Sequence, residues 1–182
     1  KHYRALHSIG IVYKDYKEKP DTAIDFFKQA ISIAPEYVPA RFSLGKLYQE
    51  LELLDQAENE LEKAVSYEPE NPEILALYAR VLYGRGKVEE ASERLLKAVT
   101  LRPDDAELRA FLGKIYLEQE KFEAALTQLQ KAVQLKPESA EYHVQIARIY
   151  EKTGKDDMAI DEYNKALKIE PDNQEAISAL EE

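Results

Sequence analysis

Cysteine is absent from the chain, which removes disulfides, thiolate metal sites and cysteine nucleophiles while suiting a reducing or an oxidising compartment equally well. Long apolar runs are also missing, so no segment approaches the length needed to span a bilayer. Glycine is scarce at six residues. It never clusters as G-x-G-x-x-G or as a phosphate loop, and no serine sits in a nucleophile-elbow context. Positive charge is in deficit: 25 Lys and Arg against 35 Asp and Glu give a net charge of -10. Such a surface repels a phosphate backbone, so nucleic acid is not an expected partner unless basic residues gather on one face. Histidine is limited to His2, His7 and His143, and the spacing of the first two does not put them on one helical face, so no metal or other cofactor is expected. The many carboxylates are read as solvating a helical surface. Catalytic residues are therefore expected to be absent, and the chain is read as not an enzyme.

What is present is a period. Pro35, Pro69, Pro103, Pro137 and Pro171 recur every 34 residues, and Ala23, Ala57, Ala91, Ala125 and Ala159 keep step with them. A unit of this length is one helix-turn-helix hairpin that cannot bury its apolar face alone, so stacked copies share a continuous core. Between Val38 and Asn71 apolar residues fall at helical spacing through Phe42, Leu44, Leu47, Tyr48 and Leu51, then through Leu54, Ala57, Leu61, Ala64, Val65 and Tyr67. Two antiparallel helices fit that pattern. Gly86 and Gly154 are expected to end first helices in a left-handed C-cap. Asp55 is expected to cap a second helix, with Glu58 completing a capping box. Asn71 before Pro72 reads as an N-cap with proline at the first helical position, and Asp105, Ser139 and Asn173 take the same place later.

Leu44, Gly45, Tyr48, Ala57, Leu61, Ala64 and Pro69, and again Leu112, Gly113, Tyr116, Ala125, Leu129, Ala132 and Pro137, carry the spacing and residue types of a known pattern. The chain resembles the tetratricopeptide repeat family along nearly its whole length. Weaker copies run from Tyr78, Ala79 and Leu82 to Pro103 and from Ile146, Ala147 and Tyr150 to Pro171. The first copy, with Ile9, Gly10 and Tyr13, matches only if one residue is inserted in the turn between Tyr16 and Pro20, so its hairpin is expected to be splayed or longer. The resemblance implies an all-α, right-handed α-solenoid of five helix-turn-helix repeats, roughly 1–37, 38–71, 72–105, 106–139 and 140–173. A partial C-terminal capping helix, carrying Ile177 and Leu180, follows over 174–182, and 1–182 is read as a single array.

Gly10, Gly45, Ala79, Gly113 and Ala147 are expected to be small because a neighbouring helix passes over them, and Tyr48, Tyr116 and Tyr150 are expected to wedge into the core. The first repeat is already under way at Lys1, and no charged segment with an apolar core precedes Tyr3. The sequence thus reads as an excised fragment whose signal or anchor, if it has one, lies elsewhere. The compartment is left open, with the cytoplasm favoured.

One charge pattern stands out. Lys46, Arg80, Lys114 and Arg148 recur every 34 residues, each two positions before the tyrosine or leucine wedge of a first helix. The resemblance implies that this part of the first helix lines a concave groove, which makes a basic stripe inside an acidic protein; Ile11 ends it in the first repeat. Lys46 with Glu50 and Lys114 with Glu118 have i,i+4 spacing, whereas Arg80 has no acidic residue three or four away and reads as free for a partner. Like charges about 10 Å apart in water repel by only roughly 0.4 kcal/mol, so the ladder is also tolerable as a plain solvated face. Phe42, Phe111 and Tyr142 are candidate apolar contacts in the groove or packing residues between repeats. Glu73, Glu107 and Glu141 form a parallel acidic column that the helix dipole alone favours. The Lys and Asn clamp with which some family members grip a peptide C-terminus is not recognisable. The expected role is a noncatalytic scaffold holding a protein or peptide segment, acidic by complementarity. The alternatives are a substrate-recruiting arm of a larger enzyme and a scaffold that self-associates through its open ends.

Overall fold

The computed structural model describes residues 2–181, which form eleven α-helices and no strand. They divide into two compact units, Lys1–Leu101 and Arg102–Glu182. The first unit holds α1 (His2–Asp15), α2 (Pro20–Ile33), α3 (Val38–Glu50), α4 (Leu54–Tyr67), α5 (Pro72–Gly84) and α6 (Val88–Leu101). The second holds α7 (Ala106–Glu118), α8 (Phe122–Leu135), α9 (Ala140–Lys152), α10 (Asp156–Ile169) and the short α11 (Gln174–Glu181). Odd and even helices pair as hairpins. Within the first unit α2 also packs on α3 and α4 on α5; within the second, α8 packs on α9 and α10 on α11. This is the stacking of an α-solenoid, repeated inside each unit.

The alanine columns explain why the pairs fit. Ala57, Leu61 and Ala64 on α4 are fully buried, as are Ala91, Leu95 and Ala98 on α6 and Ala125, Leu129 and Ala132 on α8. Small residues on the facing helix let the backbones approach: a Cβ added at Gly45 would lie 2.7 Å from Leu61 Cγ. No side chain fits there without displacing the leucine. All five period-setting prolines fall in the turns just after second helices, where the missing N–H and fixed φ stop the helix.

The turn between paired helices is nearly constant. Leu53, Lys87, Lys121 and Lys155 each donate an N–H to the carbonyl five residues back, on Tyr48, Leu82, Tyr116 and Tyr150, at 2.8–2.9 Å. In the first hairpin Lys19 reaches back six, to Tyr13, at 3.0 Å. The inserted residue is absorbed there, so the turn is longer. The hairpin itself is not splayed, since Phe27 of α2 is fully buried and sits where a Cβ on Gly10 would be, 2.5 Å from its ring. Gly86 and Gly154 adopt the expected left-handed backbone, φ 75° and 68°. Three glutamates, Glu18, Glu52 and Glu120, hold the corresponding turn positions at φ 50–59°, a conformation that strains a residue with a Cβ.

Capping follows the sequence at three helices and departs from it at two. Asn71 Oδ1 accepts from the N–H groups of Glu73 and Ile74, and Asp105 Oδ1 accepts from Glu107 and Leu108. Asn173 Oδ1 accepts from Ala176. Ser139 occupies the cap position of α9 without a side-chain bond. Asp55 does not cap α4: the cap position is Leu53, and Asp55 lies inside the first turn, where its carboxylate meets Arg85 at 2.6 Å. Glu58 is likewise no capping-box partner. It binds Lys87 Nζ at 2.6 Å and Arg85, and although burial works to raise its pKa, those two cations outweigh it and hold the carboxyl below its ordinary value.

Candidate interaction face

The four basic residues each lie on a first helix and each is exposed. Lys46 stands on α3 and Arg80 on α5 in the first unit, Lys114 on α7 and Arg148 on α9 in the second. The wedges that follow them, Tyr48, Leu82 and Tyr150, are buried and fix the opposite side of each helix. Tyr116 is partly buried against the core of the second unit.

The reading of Arg80 as free for a partner does not hold. Arg80 and Lys114 are each engaged in an interaction within the fold, so Arg80 is not a free cation. Glu50 receives Lys14 Nζ from α1 at 3.1 Å. Arg148 has a partner on α11: its Nε lies 2.5 Å from Glu175 Oε1, both side chains being about half exposed. Glu175 lies one further 34-residue step beyond the acidic column of Glu73, Glu107 and Glu141. The members of that column in the second unit have local roles, Glu107 lying 3.8 Å from Lys136 Nζ and Glu141 accepting from Gln145 Nε2 at 3.0 Å.

The aromatic candidates separate. Phe42, one turn before Lys46, and Phe111, just before Lys114, are partly buried. Tyr142 is buried in the core of the second unit, and burial raises its phenol pKa. It is a packing residue, not part of an exposed face. Among the described residues no three His, Asp or Glu side chains converge as metal ligands. His7 meets Ser43 Oγ at 2.9 Å and the Tyr37 hydroxyl at 3.4 Å, and burial lowers its pKa.

A second set of columns went unread in the sequence. Arg41 on α3 donates from Nε to the Pro35 carbonyl and from Nη1 to Glu60 on α4, both at 2.6 Å, and is nearly fully buried. Arg109 repeats this with the Pro103 carbonyl at 2.6 Å and Gln128 at 2.9 Å. His143 Nδ1 lies 2.6 Å from Glu162 in the fifth hairpin. The 34-residue count links Arg41, Leu75, Arg109 and His143, and also Glu60, Arg94, Gln128 and Glu162. These clasps tie paired helices together, and the arginine ones also hold the preceding turn. The third hairpin breaks the pattern with Leu75, and Arg94 Nε there is buried with no hydrogen-bond partner.

Two clefts lie away from the basic residues. One of about 310 Å³ in the first unit is lined by Lys28, Ser32, Leu44, Tyr48, Asn59 and Glu60 among others. One of about 730 Å³ in the second unit lies between the Arg102–Glu107 segment and Leu135–Lys136. Neither is lined by Lys46, Arg80, Lys114 or Arg148.

Models of the tetratricopeptide repeat match residues 17–63, 54–115 and 140–173, and a TPR repeat model matches 113–154. The chain belongs to the tetratricopeptide repeat family. Among solved structures it is similar to YrrB, described as a TPR protein with an unusual peptide-binding site, with 22% identity, TM-score 0.91, and 97% of this chain and 91% of that one covered. It is also similar to a MamA protein, with 24% identity, TM-score 0.88 and coverage of 94% and 93%. A MamA from Desulfovibrio magneticus RS-1 gives 20% identity, TM-score 0.87 and coverage of 94% and 96%. At these identities the likeness is one of fold. No curated protein sequence matches the chain. No helix among the described residues is long and apolar enough to cross a membrane.

Proposed function

We propose that this chain is a noncatalytic interaction scaffold whose first helices hold a protein or peptide segment through carboxylates. Lys46 and Arg80 supply the cations in the first unit, and Lys114 and Arg148 in the second, with Phe42 and Phe111 offering apolar contact beside them. The observation that carries this reading is the Arg148–Glu175 pair, in which a carboxylate on a short helix comes to rest on a first-helix arginine at 2.5 Å. Charge-assisted contacts of this kind give orientation and on-rate more than bulk affinity. The family membership and the peptide-binding site named for YrrB support a peptide-binding role.

Reversing Lys46, Arg80, Lys114 and Arg148 to Glu tests the reading. Partner capture is expected to be abolished while helicity and melting change little, because all four side chains are exposed. Undiminished capture by the reversed chain rejects it.

A further inference from the structure

The cleft of about 310 Å³ in the first unit lies over α3 between α2 and α4, and it is built unlike the same place one repeat on. Leu44 and Tyr48 of α3, 1% and 6% exposed, form its base, and Ile31 of α2 adds apolar surface. Its rim is polar. Lys28 and Ser32 stand on the α2 side, Gln56 and Asn59 on the α4 side, and all four are exposed. Glu60 also lines the cleft, but its charge is already met by Arg41 at 2.6 Å and by Lys63 at 3.8 Å. Lys28 has no such counterpart: its side chain enters no ion pair or hydrogen bond among the described residues. The side chains of Gln56 and Asn59 are likewise without hydrogen bonds there.

The third hairpin shows what such a place holds. The 34-residue step takes Leu44 to Tyr78 and Glu60 to Arg94. Tyr78 is 4% exposed and the Arg94 guanidinium lies 6.0 Å from its ring, so a ring and a cation stand together there. The second hairpin has a leucine and an already neutralised carboxylate instead, and the space stays open. The same step takes Lys28 to Glu62. Burial, and then the charge of Glu62, raises the Tyr78 pKa, which puts Glu62 in reach of that ring. The rim of the open cleft therefore carries a cation where its counterpart carries an anion. A cavity of about 150 Å³ is enough for a benzene ring, so this cleft has room for an aromatic side chain and adjoining peptide atoms. Lys28 calls for a carboxylate beside the ring, and the two unpaired amides offer donors and acceptors to a peptide bond.

We propose that this cleft takes an aromatic side chain of a partner protein, with a neighbouring carboxylate of the same segment on Lys28 and its main chain against Gln56 and Asn59. The site shares no residue with Lys46, Arg80, Lys114 or Arg148, so it is a second point of attachment and not part of the first-helix face.

The chain has no tryptophan, so the fluorescence of a peptide EEWEE reports the peptide alone. Titrating the intact chain into it is expected to give a saturable blue shift as the indole leaves water. Peptide EEFEE should compete and EEAEE should not. Lys28→Glu should weaken binding severalfold, the scale of an exposed charge pair, and Lys28→Arg should keep it. Leu44→Tyr, which installs the residue of the third hairpin, should abolish the shift; Lys28→Glu leaves the core untouched and keeps the test valid if that variant misfolds. Reversal of Lys46, Arg80, Lys114 and Arg148 to Glu should leave the shift in place, which separates this site from the first-helix cations. Absence of a shift, equal affinity in Lys28→Glu, or competition by EEAEE as strong as by EEFEE overturns the proposal. So does a shift lost in the fourfold reversal, because the peptide then sits on the first helices. Indole-3-acetate binding as tightly as EEWEE overturns it too, since the occupant would then be a small molecule.

Discussion

The second and third hairpins share one backbone plan and fill the same column in opposite ways. In the second, Arg41 is buried and satisfied, bonded to the Pro35 carbonyl and to Glu60. In the third, Leu75 is 1% exposed and Arg94 stands on the facing helix, its guanidinium 6.0 Å from the Tyr78 ring. The hairpin plan of this chain thus tolerates either a polar clasp or an apolar plug at this point. The two solutions should differ in how they fail. A clasp that loses one partner leaves a charge stranded in a dry place, whereas a plug that is trimmed leaves a void.

Breaking the clasp should have the largest effect. Arg41→Ala leaves Glu60 largely buried, with Lys63 Nζ 3.8 Å away, and is expected to cost about 3–5 kcal/mol in chemical denaturation. Replacing both partners by hydrophobic residues of similar volume, Arg41→Met with Glu60→Leu, should recover most of that loss; a double variant as unstable as the single would refute the clasp account. Leu75→Ala in the third hairpin should cost about 2–5 kcal/mol by opening a cavity, with no rescue from any change at Arg94. Ala57→Leu and Ala91→Leu overpack the shared seam of the two hairpins and should each cost about 1–3 kcal/mol; unchanged melting of both would sink the repeat register. Arg94→Met removes the unpaired Nε and should be neutral or stabilising by about 1 kcal/mol.

The smallest effect extends the contrast to the first hairpin. Burial lowers the His7 pKa, so the unfolded chain takes up a proton at higher pH than the folded one. Its share of stability is whole above the unfolded value of about 6.5 and is lost as pH falls from there toward the lower folded value. His7→Gln should flatten that part of a stability–pH curve, and a slope that survives the substitution assigns it elsewhere.

The sequence made the period, the proline stops, the Asn71 and Asp105 caps and the inserted residue of the first turn readable, because each depends on residues near one another in the chain. What escaped depends on helices meeting. Arg41 and Glu60 lie nineteen positions apart on different helices, so a search at three and four residues passes over them. Their recurrence as Arg109 with Gln128 and His143 with Glu162, at the same 34-residue count as the prolines, was the signal available. Asp55 failed as a cap because α4 begins one residue before it, at Leu54, after a turn closed by the Leu53 N–H. Arg80, with no acidic residue three or four positions away, is engaged within the fold. The positions of Lys46, Arg80, Lys114 and Arg148 on exposed helical faces were legible; the pairing of Arg148 with Glu175 was not.

That pairing supplies the most direct test of the central claim, that first-helix cations hold carboxylates. A fluorescein-labelled oligoglutamate peptide would be titrated by anisotropy against the unaltered chain and against Glu175→Gln and Arg148→Glu at one fixed salt concentration. If Glu175 occupies a carboxylate site, Glu175→Gln should tighten binding severalfold and Arg148→Glu should weaken it by a similar factor. Equal affinity across the three proteins, or tighter binding by Arg148→Glu, would contradict the account.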